Sequence, residues 1–193
     1  MARIPYVDPD DFPAEKRDLL DTLSGEDVPD EDRRHSLEGG TLNVYRAIGQ
    51  NPPLLDAFRT YAGRVWAESG LTPHEREVVI LAASFHADCA YEWHQHVRVA
   101  LDAGLDVDTV LAISREEHTH LADEHAALAA YVEQFVDGAV TDARYDRLAT
   151  HYNDPTIVGV TALAGCYLGL ARLLQALDVE PEQPFVGWDL EDL

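Results

Sequence analysis

Cys89, Glu92 and His96 lie close together in the stretch HADCAYEWHQH and bring three kinds of usable chemistry into one place. A cysteine is a nucleophile or redox centre once deprotonated, and a glutamate with a histidine can pass a proton on. At 100° per residue the three positions fall within an arc of roughly 60°, so a helix here carries them as one polar stripe. Cys89 and His96 are still ~10 Å apart along that axis, so Glu92 or a water has to link them. A helix start favours the thiolate of Cys89, and a charge on Glu92 opposes it.

A fourth group, Glu77, belongs to the preceding helix, where it shares a face with Ile80, Leu81 and Ser84. That face is predicted to point inward, and a buried carboxyl needs a partner. His96 is the partner expected, with Glu77 completing a proton relay. Tyr91 and Trp93 are expected to pack as aromatic walls, while His94 points to the far side of the helix. Cys166, inside an apolar helix, reads as packing. Glu117, His118, His120, Asp123, Glu124 and His125 crowd one predicted helix and read as a solvated polar face. Two Glu-x-x-His motifs are expected in a di-iron bundle and one occurs, so no metal and no other cofactor is expected.

The elements that must hold these groups read as helices throughout, an all-α class in one domain over residues 1–193. The spacing predicts a helix over Pro13–Ser24, then a mobile acidic loop, GEDVPDEDRRHSLEGG. A short helix, a Pro52-Pro53 break and a longer helix follow, the last with Leu54, Leu55, Phe58, Tyr61, Ala62 and Val65 on one face. Thr72-Pro73-His74-Glu75 is a start signal: a capping threonine, proline at the first helical position, and glutamate placed for a capping box. Asp88 is expected to cap the helix that carries the stripe, ended by Gly104. Further helices are predicted over Val107–Ser114, around Leu121–Phe135, over Asp142–Tyr152 with Thr141 as cap, and over Thr156–Leu177. The last is apolar around most of its girdle, which predicts burial on all sides, in part against a second subunit.

Composition excludes several partners. Against 36 Asp and Glu stand 14 Lys and Arg, a formal net charge of −22 at pH 7, and such a surface repels nucleic acid and anionic membranes. Self-repulsion of this size is tolerated where salt screens it, at a Debye length of about 3 Å in molar salt, which points to a salt-rich cytoplasm. Two cysteines make no disulfide framework, and the start MARIPYVDPDDF lacks a signal pattern, so a cytoplasmic protein with reduced thiols is expected. The uncharged run Pro155–Ala171 holds several Gly and Thr residues and is closed by Arg172 short of ~20 residues, a buried helix and not a membrane span.

The stretch LTPHEREVVILAASFHADCAYEWHQHVRVALDAGL resembles the carboxymuconolactone decarboxylase and alkylhydroperoxidase D-like superfamily, over roughly residues 43–113. The resemblance lies in the Arg-Glu helix, the C-x-Y-E-W-x-x-H run and the following AL-x-A-G-L. It implies an all-α fold, with a trimeric or hexameric homo-oligomer. Peroxidase members carry C-x-x-C-x-x-x-H with an upstream glutamate, positions matched by Cys89, His96 and Glu77. Glu92 stands where the second cysteine belongs, so their intramolecular disulfide cannot form. Decarboxylase members place a glutamate four residues before the histidine, as Glu92 and His96 do, and need no cysteine.

Three functions follow. In the first, Cys89 reduces a hydroperoxide, with Glu92, His96 and Glu77 relaying the proton and an external thiol restoring the sulfur. In the second, Glu92 and His96 act as acid and base on a small carboxylated lactone, though few cations, among them Arg76 and Arg98, lie near the motif to receive an anion. In the third, the chain is a non-catalytic oligomeric binding protein.

Overall fold

The computed structural model describes residues 2–21 and 41–193. The acidic stretch expected to be a mobile loop lies outside the described residues. Among the described residues eight α-helices follow one another: α1 (Asn43–Ile48), α2 (Pro52–Glu68), α3 (Pro73–His86), α4 (Ala90–Asp102), α5 (Val107–Ser114), α6 (Asp123–Val136), α7 (Asp142–Ala149) and α8 (Asp154–Leu177). Among the described residues there is no strand, and the class is all-α as the sequence predicts.

α3 is the central helix, because its run from Arg76 to Ser84 is buried around the whole girdle. α4, α5, α6 and α8 pack around it. Its start is the expected capping box: Thr72 N–H donates to Glu75 Oε2 at 2.8 Å, and Glu75 N–H returns to Thr72 Oγ1 at 3.3 Å. A second apolar cluster joins the N-terminal segment, α1, the first turn of α4 and the C-terminal half of α8.

Between α3 and α4 the chain turns through Asp88, whose φ of 54° is left-handed. Cys89 N–H donates to Ser84 O at 2.9 Å across this joint, and Ala87 O accepts from Arg172 Nη1 and Gln175 Nε2 of α8 at 3.1 and 2.8 Å. Asp88 is therefore the turn residue, and Cys89 takes the cap position expected for Asp88. A short polar side chain tolerates left-handed backbone, which explains the exchange of roles.

Other elements also depart from expectation. Of the helix predicted over Pro13–Ser24, the described part holds a 3₁₀ helix over Ala14–Leu20 with Leu20 as its buried anchor, and residues 22–24 lie outside the described residues. The polar crowd from Glu117 to His125 is split between a 3₁₀ turn, His118–His120, and the start of α6, with Ala122 as the cap. Thr141 bonds Gln134 Oε1 and does not cap α7 with its side chain. α8 is long and apolar enough to cross a membrane by length and composition; here it packs on α2, α3 and α6. It is not buried on all sides of this chain, since Val158 is 67% exposed. Leu54 and Tyr61 of α2, placed on one apolar face from sequence, are 53% and 51% exposed. Periodicity marks an apolar face and leaves open what covers it.

The α2–α8 crossing rests on Gly159, where an added Cβ would collide with the Ser69 backbone. Backbone cannot swing aside as a side chain can, so Gly159→Ala is expected to cost about 1–3 kcal/mol by overpacking. In thermal unfolding this lowers the midpoint by roughly 2–12 °C. Gly169→Ala, with nothing within 4 Å of the new Cβ, is the control expected to hold or raise it through helix propensity.

Candidate active site between α2, α4 and α8

α3 and α4 run side by side from their short joint, and this brings Glu77 to His96. His96 Nδ1–H donates to Glu77 Oε2 at 2.8 Å, and His96 Nε2 lies 3.7 Å from Glu92 Oε2. All three are buried, Glu77 at 1%, Glu92 at 3% and His96 at 9% exposure. Glu92 thus faces the ring nitrogen that Glu77 leaves free, and the three form one line of ionisable groups.

Aromatic rings set the imidazole plane. Tyr167 meets His96 edge-on with centroids 4.9 Å apart, and Trp66 stands 6.0 Å away. The Arg76 guanidinium lies over the Trp66 ring, 3.9 Å from its centroid, a cation–π contact that helps to hold the indole.

Glu92 and His96 line a cavity of about 60 Å³. Its apolar wall comes from Leu42 and Val44 at α1, Phe58 and Trp66 of α2, and Tyr167 and Leu170 of α8, with Tyr45, Tyr91, Gln95 and Cys166 completing it. Among the described residues of the lining there is no lysine or arginine. Burial pushes the Glu92 carboxyl up to about 7, the attraction of His96 opposing and the Glu182 charge adding to the rise. Burial pulls the His96 imidazolium down, but the Glu77 charge, its hydrogen bond and the Glu92 charge outweigh it, and His96 ends above its ordinary value.

Cys89 is placed differently. It is 2% exposed, belongs to the second apolar cluster and is not part of the cavity lining. Burial, then the Glu92 charge, pushes its thiol up to about 12; the N–H groups of Glu92 and Tyr91 at the helix start pull back more weakly. Cys166, which the sequence reads as packing, is the thiol on the cavity wall, and burial with the Glu92 charge raises it to about 11. Tyr45, Trp66 and Tyr167 complete the site and were not singled out from sequence. A Cys-Tyr pair in an otherwise apolar helix was the available signal for Cys166 and Tyr167. Glu117 and His120 meet at 3.0 Å on an exposed turn and take no part in the cavity.

This helical architecture with a carboxyl–imidazole–carboxyl line at its core defines a class. Residues 52–134 match the carboxymuconolactone decarboxylase family. The matched segment runs from α2 through most of α6 and supports the resemblance to the carboxymuconolactone decarboxylase and alkylhydroperoxidase D-like superfamily. It shares its fold with an alkylhydroperoxidase AhpD core, an uncharacterized peroxidase-related protein from Ralstonia eutropha, at 17% identity over 97% of this chain and 96% of that one, TM-score 0.77. The debrominase Bmp8 in its apo form is 19% identical over 79% and 83%, TM-score 0.69. An uncharacterized peroxidase-related protein from a Silicibacter species is 19% identical over 76% and 80%, TM-score 0.66. At these identities the likeness is one of fold. Among curated proteins, none matches the chain.

Proposed function

We propose that this chain is a proton-transfer enzyme, a lyase acting on a small carbonyl acid of the carboxylated-lactone kind. The observation that carries this reading is the cavity wall, on which Glu92, held near neutrality, and His96, held above its ordinary value, stand together while Cys89 lies outside it. A carboxyl that titrates near pH 7 both accepts and returns a proton, the condition for general acid–base work. Protonated His96, oriented by Glu77, is the cation that meets the substrate's carboxylate or carbonyl oxygen. In decarboxylation the bond to the carboxyl carbon breaks and CO₂ leaves. The electron pair moves to the conjugated carbonyl oxygen beside His96, and the proton held by Glu92 passes to carbon.

A cavity of about 60 Å³ is smaller than the apolar cavity of about 150 Å³ that takes up benzene. A ring-sized substrate therefore enters only when one wall moves.

One observation favours a second reading, peroxide reduction at Cys89 with an external thiol as reductant: the first N–H groups of α4 act on its sulfur toward the thiolate. Two assays separate the readings, CO₂ release from carboxymuconolactone and cumene hydroperoxide turnover with dithiothreitol, both in molar KCl. Cys89→Ser is expected to keep CO₂ release within about twofold while Glu92→Gln loses it. Peroxide turnover by the wild type that disappears in Cys89→Ser, without CO₂ release from carboxymuconolactone, would establish the second reading instead.

A further inference from the structure

We propose that Glu182, in the C-terminal tail, is a positioning residue that clamps one wall of the Glu92–His96 cavity shut. This rests on the site assigned above and adds to it a group that touches neither substrate nor the reacting pair. One carboxylate gathers three donors. Its Oε1 accepts from Asn43 N–H at 2.5 Å and from Tyr91 Oη–H at 2.8 Å, and its Oε2 accepts from Gln95 Nε2 at 2.6 Å. Tyr91 Oη accepts in turn from Val44 N–H at 3.1 Å, and Asn43 Nδ2 donates to Glu180 O at 3.0 Å. The start of α1, the first two turns of α4 and the tail are thus tied at one point.

What is tied is a side of the cavity. Leu42 and Val44 flank Asn43 and line it, and so do Tyr91 and Gln95, which immediately precede Glu92 and His96 along α4. Hydrogen bonds to a charged acceptor are stronger than neutral ones, so this point holds the wall more firmly than apolar contact alone would. The tail is anchored beyond it as well: Trp93 Nε1–H donates to Gly187 O at 3.1 Å, and Asp189 pairs with Arg115 at 2.8 Å. The Glu182 charge also raises Glu92, which couples the clamp to the protonation of the reacting carboxyl.

Cys166 gives a probe of the closed wall that needs no turnover, so failure here and failure of the proposed reaction are separable. Iodoacetamide labelling of the folded full chain in molar KCl, read by mass analysis at each cysteine, follows access to the cavity at Cys166. Cys89, outside the lining, is the internal control. Glu182→Ala removes all three acceptor contacts and is expected to speed labelling of Cys166 by roughly 10- to 100-fold, with Cys89 unchanged. Glu182→Gln keeps an amide oxygen for Asn43 and Tyr91 and is expected to fall between wild type and Ala. In ¹³C-glutamate-labelled protein it also lowers the titration midpoint of Glu92, a change that a purely structural staple does not predict. Equal Cys166 rates in all three proteins, acceleration of both cysteines alike, or an unmoved Glu92 midpoint in Glu182→Gln would overturn the proposal.

Discussion

Glu92→Gln is expected to abolish most turnover, by about 10²–10⁴-fold, and at the same time to make the protein more stable at pH 8. The amide keeps the shape of the carboxyl and loses its proton chemistry, so the kinetic loss falls on kcat. The stability gain follows from the raised value of Glu92, about 7 against an ordinary 4.5. Between those values the unfolded chain has released its proton and the folded chain still holds it, so wild-type stability falls as pH rises through the window. Above about 7 the loss is complete. The Gln variant has nothing to ionise there, so its advantage is absent near pH 4, grows from pH 4.5 to 7, and stays constant beyond. Urea unfolding in molar KCl at pH 4.5, 6 and 8 measures it. A variant no more stable than wild type at pH 8 would show that the His96 contact outweighs the burial of the charge.

The second large effect is expected at Glu77. Glu77→Ala leaves His96 buried without its 2.8 Å partner, and breaking a buried pair from one side costs about 3–5 kcal/mol. The sign of the pH dependence is opposite to that of Glu92→Gln. His96 is raised in the folded chain, so the stability it contributes is fully present below the unfolded value of about 6.5 and is lost as pH rises through the folded value. The destabilisation by Glu77→Ala is therefore largest at pH 6 and smaller at pH 9. Glu77→Gln retains an acceptor for the imidazole N–H and is expected to fold with a milder loss. It lacks the charge that holds His96 protonated, so its activity is lost at neutral pH and returns in part toward acid. Unfolding curves and pH–rate profiles of the two variants check both statements. Equal destabilisation at pH 6 and 9 would contradict the role given to the Glu77 charge.

The Glu92–His96 pair on α4, the inward face of α3 and the capping box at Thr72 are legible in sequence because each is a relation along one helix. Glu77 with His96 could be anticipated as well, since two helices joined by a short turn pack side by side. Beyond neighbouring helices the signal fades. Nothing in the spacing of α1, α2 and α8 says that Tyr45, Trp66 and Tyr167 line one cavity, because that depends on crossing positions set by packing, such as the contact of Gly159 with Ser69. The tail carries no periodicity at all, and Glu182 acquires its role from three donors that are distant in sequence. The same limit explains Leu54 and Tyr61, apolar by pattern and exposed in this chain. Cys89 draws attention in the sequence as a helix-start thiol, yet only three-dimensional placement shows that the cavity opens onto Cys166.

Trp66 touches the guanidinium of Arg76 and neighbours the imidazole of His96, while Trp93 and Trp188 pair with each other and with Phe85. An indole's light emission responds to the charge of its neighbours. The protein therefore carries an optical label beside the reacting imidazole, with its other two indoles set apart as an internal reference.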